Sequence, residues 1–370
     1  MPARTLLILS VAACVMIAGV RAAGEETATS SPSDAAQLYL RAAQWITAIS
    51  PAASNFTYPD YPPFGPEWDR MAQAAWDTNA PVRRLAHQAR SSDQANWPDD
   101  KTMYLNSCRA LANDLGDAAL YEHLHGNDAG AGETMQDLLH LAAMLRQNSR
   151  RGHLVRPLVA GGIDALLATR LLVIASGVEL TTDPSNTRDM QVAAARKLID
   201  SLLDQPEPKQ LFAQVALSPS GAPLMDKSLT NRVTDTFERV NAERTFAAIS
   251  LGCQIFRFEN HRWPQRLDTL VPDYLPRIPV DPWGDGKQTI EYVLVKGGLP
   301  GGSDRPLLYD RCESRDGLFY RTDKPLYSFY NEADFRLEAQ RQKQGGQFRD
   351  VASWAPSETA KSEPTTRPLN

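Results

Sequence analysis

One short stretch concentrates the side chains that could do chemistry: His123-Leu124-His125, Asp128, Glu133, Asp137 and His140. Imidazole and carboxylate are ligands for zinc and similar ions, and a helical hairpin could converge His123, His125, Asp128 and His140 on one site. The spacing argues otherwise. On one helix His123 and His125 point about 200° apart, and Asp137 with His140 is a helical i,i+3 pair of a kind common by chance. A solvated hairpin tip fits better, so no metal or other cofactor is expected, and these four are weak metal candidates. Nucleophile and phosphate signatures are lacking: there is no Gly-x-Ser-x-Gly elbow, Ser-x-x-Lys, His-Glu-x-x-His or Walker loop. Val159-Ala160-Gly161-Gly162 lies inside an apolar helical run and reads as close helix packing. Glu238, Glu243 and Glu259 read as the wet face of a long helix.

The elements that must position these residues are mostly helical. The chain has 370 residues, 42% apolar and 22% charged, with a net charge of −5, which excludes collagen-like, wholly disordered and polytopic membrane classes. No sustained basic block offers a face for phosphates, so nucleic acid is not an expected partner. Arg4, the apolar run Leu6 to Val20 and the small residues Ala22, Ala23 and Gly24 have the order of a secretory signal. Residues 1–23 therefore read as a signal peptide cleaved after Ala22, as a short uncleaved anchor, or as a lipoprotein signal that lipidates Cys14. All three export the chain, to the periplasm, the cell envelope or the medium. Beyond the signal stand Cys108, Cys253 and Cys312, too few and too odd for a disulfide framework. Buried free thiols are expected, with a Cys253–Cys312 bridge as the other option.

Residues 24–33 form a polar linker, and 34–205 a helical domain, bundle or α-solenoid-like, with no fixed repeat period. Asp34 to Ser50 places Leu38, Ala42, Trp45, Ile46 and Ile49 at helical spacing. The segment Asn55 to Pro66, rich in Pro and aromatics, cannot be helical and reads as a contact loop. Further helices follow around Pro66 to Trp76, Val82 to Ala89, Asp99 to Tyr121, Glu133 to Gln147, His153 to Ser176 (ended by a left-handed Gly177) and Ser185 to Asp204. In the helix 153–176, Asp164 and Arg170 argue against a membrane span. A Pro-rich linker is expected at 206–228 and a small α+β module at 229–343: a long helix Leu229 to Glu259, an irregular wrap, and short strands near Gln288 to Val295, Pro306 to Asp310 and Leu326 to Tyr330. A last helix runs from Asn331 to about Lys343, and 344–370 reads as a disordered tail.

The module carries a resemblance. Phe256-Arg257-Phe258-Glu259-Asn260-His261-Arg262-Trp263-Pro264, then Ile278-Pro279-Val280-Asp281-Pro282-Trp283-Gly284, resembles the major pseudopilin of bacterial type II secretion over about residues 235 to 330. The resemblance implies a long helix packed on a small antiparallel sheet, with Asn260, Trp263, Pro264, Pro279, Asp281, Pro282, Trp283 and Gly284 as fold determinants. Gly252, unfavourable in mid-helix by about 1 kcal/mol against Ala, would let the wrap approach closely. Pseudopilins also hold calcium in a loop of the sheet. Here Gly301-Gly302-Ser303-Asp304 and Asp310 offer too few carboxylates for the oxygens calcium needs.

The Gly–Phe processing site and continuous apolar pilin helix are missing. The first half of the long helix carries Asn231, Arg232, Asp235, Glu238, Arg239, Glu243 and Arg244. Burying those charges in a filament would be costly, so the helix should dock on its own sheet with one face in water, and no filaments are expected. The expected function is a non-catalytic exported or envelope-associated bacterial protein, a scaffold or binder for a protein or other envelope partner. Contact with a membrane is expected only through the N-terminal segment. The alternative is an exported hydrolase with a metal site in the helical domain.

Overall fold

Helical periodicity and capping residues carry over into the computed structural model, which describes residues 34–46, 65–98, 103–147, 155–204, 226–281, 289–295, 304–310 and 326–328. Expectations for the signal segment, the Asn55 to Pro66 loop, the 206–228 linker, the last helix and the tail lie outside them, except Gly65, Pro66 and the residues 226–228 that open the long helix. So do Pro282, Trp283, Gly284, Gly301 to Ser303 and Cys312.

The chain is mostly helical. Helix α1 (Ala35–Gln44) starts at Asp34, whose carboxylate accepts the Ala36 N–H at 3.1 Å. Its buried side is Ala35, Ala36, Tyr39 and Ala42, while Trp45, expected in the stripe, is exposed as the C-cap. Helices α2 (Gly65–Thr78) and α3 (Ala80–Ala89) meet at Asn79, with Pro81 in the first turn of α3, where its missing N–H costs nothing. Helix α4 (Met103–Leu124) turns at Gly126 (φ 68°) into α5 (Asp128–Arg146), capped by Asn127. That cap starts α5 five residues before the expected Glu133.

Helix α6 (Val155–Gly177) is long and apolar enough to cross a membrane, yet 61% of its most apolar window is buried inside the fold. Two of its three charged residues, Asp164 and Arg170, meet partners there: Arg146 pairs with Asp164, and Arg170 with Asp117 at 3.0 Å. Gly177 is not a left-handed cap but the last residue of α6. A Cβ there would stand 3.3 Å from the His123 ring, so its smallness serves packing.

Next, β1 (Leu180–Thr181) pairs in parallel with β2 (Met190–Gln191), which leads into α7 (Val192–Leu203). The helix expected from Ser185 therefore begins seven residues later. Before it, the Asp183 carboxylate accepts the Ser185 N–H, and the Asn186 side chain accepts from the amides of Arg188 and Asp189. Such local bonds offer the backbone an alternative to helix.

Helix α8 (Lys227–Asn260) is capped by the Asp226 carboxylate and ends at His261 in left-handed geometry. A wrap with a 3-10 turn (Leu267–Leu270) follows, then an antiparallel sheet of β3 (Glu291–Val295), β4 (Arg305–Asp310) and β5 (Leu326–Ser328) in the order β3-β4-β5. The wrap closes on α8 at Gly252, where a Cβ would stand 3.2 Å from Leu275.

Two expectations for α8 are corrected. Glu243 and Arg244 are 4% and 3% exposed, and Ala242 to Phe256 is buried on every side, so this stretch has no wet face. The reason is packing: α6 and α7 lie along it as well as the sheet. For the same reason the helical segment and the α8 module do not hold separate cores. One hydrophobic cluster runs from Ala35 through Leu167 and Phe246 to Leu308, and all described residues fall in one compact unit.

Candidate functional site

The four metal candidates are not brought together. His123 Nδ1 lies 2.5 Å from Asp128 Oδ1, and Asp128 Oδ2 accepts the Glu179 N–H at 2.7 Å. This ties the α4–α5 turn to the strand that follows α6. His125 is exposed; its Nδ1 meets the Tyr121 carbonyl at 2.8 Å, and its Nε2 lies 3.4 Å from Asp69 on α2. Its ring lies against Tyr121, tilted by 32° with centroids 4.0 Å apart.

His140 sits elsewhere, half-buried on α5. Its Nε2 donates to the Ser92 carbonyl at 3.0 Å, so its Nδ1 accepts from the Tyr39 hydroxyl at 2.6 Å. Both nitrogens are occupied, and burial pulls its pKa down. Tyr39 is fully buried, stacks on Trp97 at 6.4 Å, and has its pKa pushed well up by burial. Among the described residues, no group of three or more His, Cys, Asp or Glu could hold a metal ion.

A larger polar cluster, which the sequence reading missed as a unit, is drawn from α2, α3, α4 and α5, where α2 packs on α4 and α3 on α5. Its basic side chains stand on α3 and its C-cap at i, i+4 and i+7: Arg83, His87 and Arg90. That spacing was the available signal, and the carboxylates they meet come from other helices. Arg83 donates to the Trp76 carbonyl at 2.6 Å and lies over the Trp76 ring at 4.7 Å. The buried Glu122 accepts from Trp76 Nε1 at 3.3 Å and Thr134 Oγ1 at 3.0 Å, and desolvation raises its pKa despite those bonds. Asn79 donates to Asp114 at 2.5 Å, while burial pushes the Asp114 pKa up to about 6. Arg90 binds Glu133 and reaches Gln136 Oε1 at 3.2 Å and Asp137 Oδ1 at 3.3 Å.

A second buried charge group joins α5, α6 and α8. Arg146 pairs with Asp164, and Arg244 lies in the field of both while donating to Asn241 at 2.8 Å. Glu243 takes a bond from Arg239 at 2.6 Å.

The motif residues of the wrap act on each other and on α8. Asn260 Nδ2 donates to the Phe256 carbonyl at 3.0 Å and to Tyr274 Oη at 2.9 Å. Arg257 lies 4.6 Å over the Trp263 ring, and the Pro264 carbonyl accepts from Tyr292 Oη at 2.5 Å. Pro264, Pro279 and Asp281 are buried. Arg196 of α7 binds Glu259 at 3.1 Å and the Asp273 carbonyl, fastening the wrap to the helical segment. Cys108 and Cys253 are buried free thiols, and burial raises both pKa values, that of Cys108 to about 12. Such thiols are poor nucleophiles.

Among the described residues, the rings of His123, His125 and His140 are each held by separate internal partners. Comparison with protein-family models, with curated proteins and with solved structures finds no match to this chain.

Proposed function

We propose that this chain is a non-catalytic, exported bacterial envelope protein whose pseudopilin-like module is built into a helical scaffold that binds an envelope partner. One observation carries the reading: Ala242 to Phe256 of α8 is enclosed by its own chain. A pilin-type helix must leave an apolar face for its neighbours in a filament. Here that face is used internally, and Glu243 and Arg244 are buried beside it. The wrap motif around Asn260, Trp263 and Pro264 supports a pseudopilin-like packing of helix on sheet without a pilin's assembly surface. A metal-dependent hydrolase draws little support, because His123, His125 and His140 each have separate partners.

The test is expression of the full chain in a Gram-negative host, followed by fractionation, sedimentation velocity and electron microscopy at high concentration. The expected result is protein in the periplasmic or envelope fraction, with no ordered fibres. Retention in the cytoplasm overturns the export reading. Fibres of helical symmetry overturn the scaffold reading.

A further inference from the structure

The α3–α5 contact contains a carboxylate placed to change charge without stranding its partner. Asp137 of α5 has a side chain 5% exposed, and its Oδ1 accepts no hydrogen bond. Two side chains from the end of α3 and its C-cap face it, the Arg90 guanidinium with Nη1 at 3.3 Å and the His87 imidazole with Nδ1 at 3.5 Å. Other titratable groups around it are Tyr39 of α1, Glu122 of α4, and Glu133 of α5, with His140 bonded to Tyr39 behind them. Arg90 does not depend on Asp137. It also binds the Glu133 carboxylate, the Glu133 carbonyl at 3.2 Å and Gln136 Oε1 at 3.2 Å. A proton on Asp137 therefore leaves Arg90 satisfied, whereas an ionised Asp137 adds charge beside Glu122 and Glu133 and leaves a buried oxygen without a donor. His87, 56% exposed, gives the proton a route to water.

We propose that Asp137 is a proton-operated clasp between α3 and α5, closed when the carboxyl is protonated and loosened when it ionises. In the closed state Arg90 rests on Glu133 and Gln136. In the loosened state Asp137 competes for Arg90, water enters, and α3 opens more often together with α1, which packs on it. The direction follows from linkage. Burial raises the folded-state pKa of Asp137 to about 7, above the 3.8 of an exposed aspartate. The folded form then binds more protons than the open form between those values, so the clasp is strongest below about pH 4, weakens as pH rises from there, and has lost nearly all of this contribution once pH has passed about 7. An exported protein would meet such changes, since the outer compartment follows the medium.

The experiment is hydrogen exchange on the full chain at pH 6 and pH 8, corrected for the intrinsic rate and read at the α3 amides from Val82 to Ala89. A group with a folded pKa near 7 changes protection by about tenfold across that interval. The wild type should lose about that factor. Asp137→Asn, which imitates the protonated carboxyl, should hold α3 closed at both values; Asp137→Ser serves if that variant fails to fold. The Asp137 carboxyl resonance, assigned by its loss in the variant, should titrate near pH 7. A midpoint below pH 5, no loss of α3 protection in the wild type, or the same loss in the variants overturns the proposal.

Discussion

Substituting Gly161 tests the joint between α6 and α8. A Cβ on Gly161 would stand 1.9 Å from Phe237 Cε1 and 2.7 Å from Cζ. Carbon atoms need about 3.5 Å, so the Phe237 ring must retreat by more than about 1.5 Å. That ring is 7% exposed and stiff, and overpacking of this kind costs about 1–3 kcal/mol. Replacing a mid-helix glycine by alanine returns about 1 kcal/mol of backbone propensity, which leaves Gly161→Ala destabilised by up to about 2 kcal/mol. The next residue is its control. A Cβ on Gly162 meets nothing within 4 Å, so Gly162→Ala should stabilise by up to about 1 kcal/mol. Urea unfolding followed by far-ultraviolet circular dichroism reads both. Adding Phe237→Leu to Gly161→Ala should recover part of its loss, a coupling expected only between touching residues. Equal effects of the two alanines, or no coupling to position 237, would refute the shared core of α6 and α8.

Two further outcomes follow from buried groups. Asp164→Ala leaves Arg146 and Arg244 without their shared carboxylate and should cost about 3–5 kcal/mol in urea unfolding, whereas an exposed pair such as Arg266–Asp268 should cost under about 1 kcal/mol when broken. A thiol reagent applied to the native chain should mark neither Cys108 nor Cys253 in a peptide map, and should mark both after denaturation; native adducts at either would contradict their burial.

Most helices were legible because their signals are local. Asp34 before α1, Pro81 in the first turn of α3, and the apolar run of α6 state their helices through terminal residues and a 3.6-residue period. The strands β3 and β4 showed by alternation, and Gly252 showed by its cost in mid-helix. The separateness of the metal candidates was also legible in part, since residues two apart on a helix diverge.

What the tertiary structure decided is which polar groups go inside. Glu243 and Arg244 read as helix-surface charges because their sequence neighbourhood is polar. They are buried because Arg239 lies one turn away and Asp164 arrives on another helix some 80 residues earlier. Glu122 is held inside by Trp76 and Thr134, and Arg90 by Glu133 and Gln136, none of which a helical period can foresee. The pairing of β1 with β2 rests on side-chain bonds at Asp183 and Asn186 that displace the first turns of the expected helix. Periodicity reports how a segment divides between apolar and polar faces. Burial of a charge depends on whether an opposite charge is delivered from a distant segment, and only the packed helices supply it.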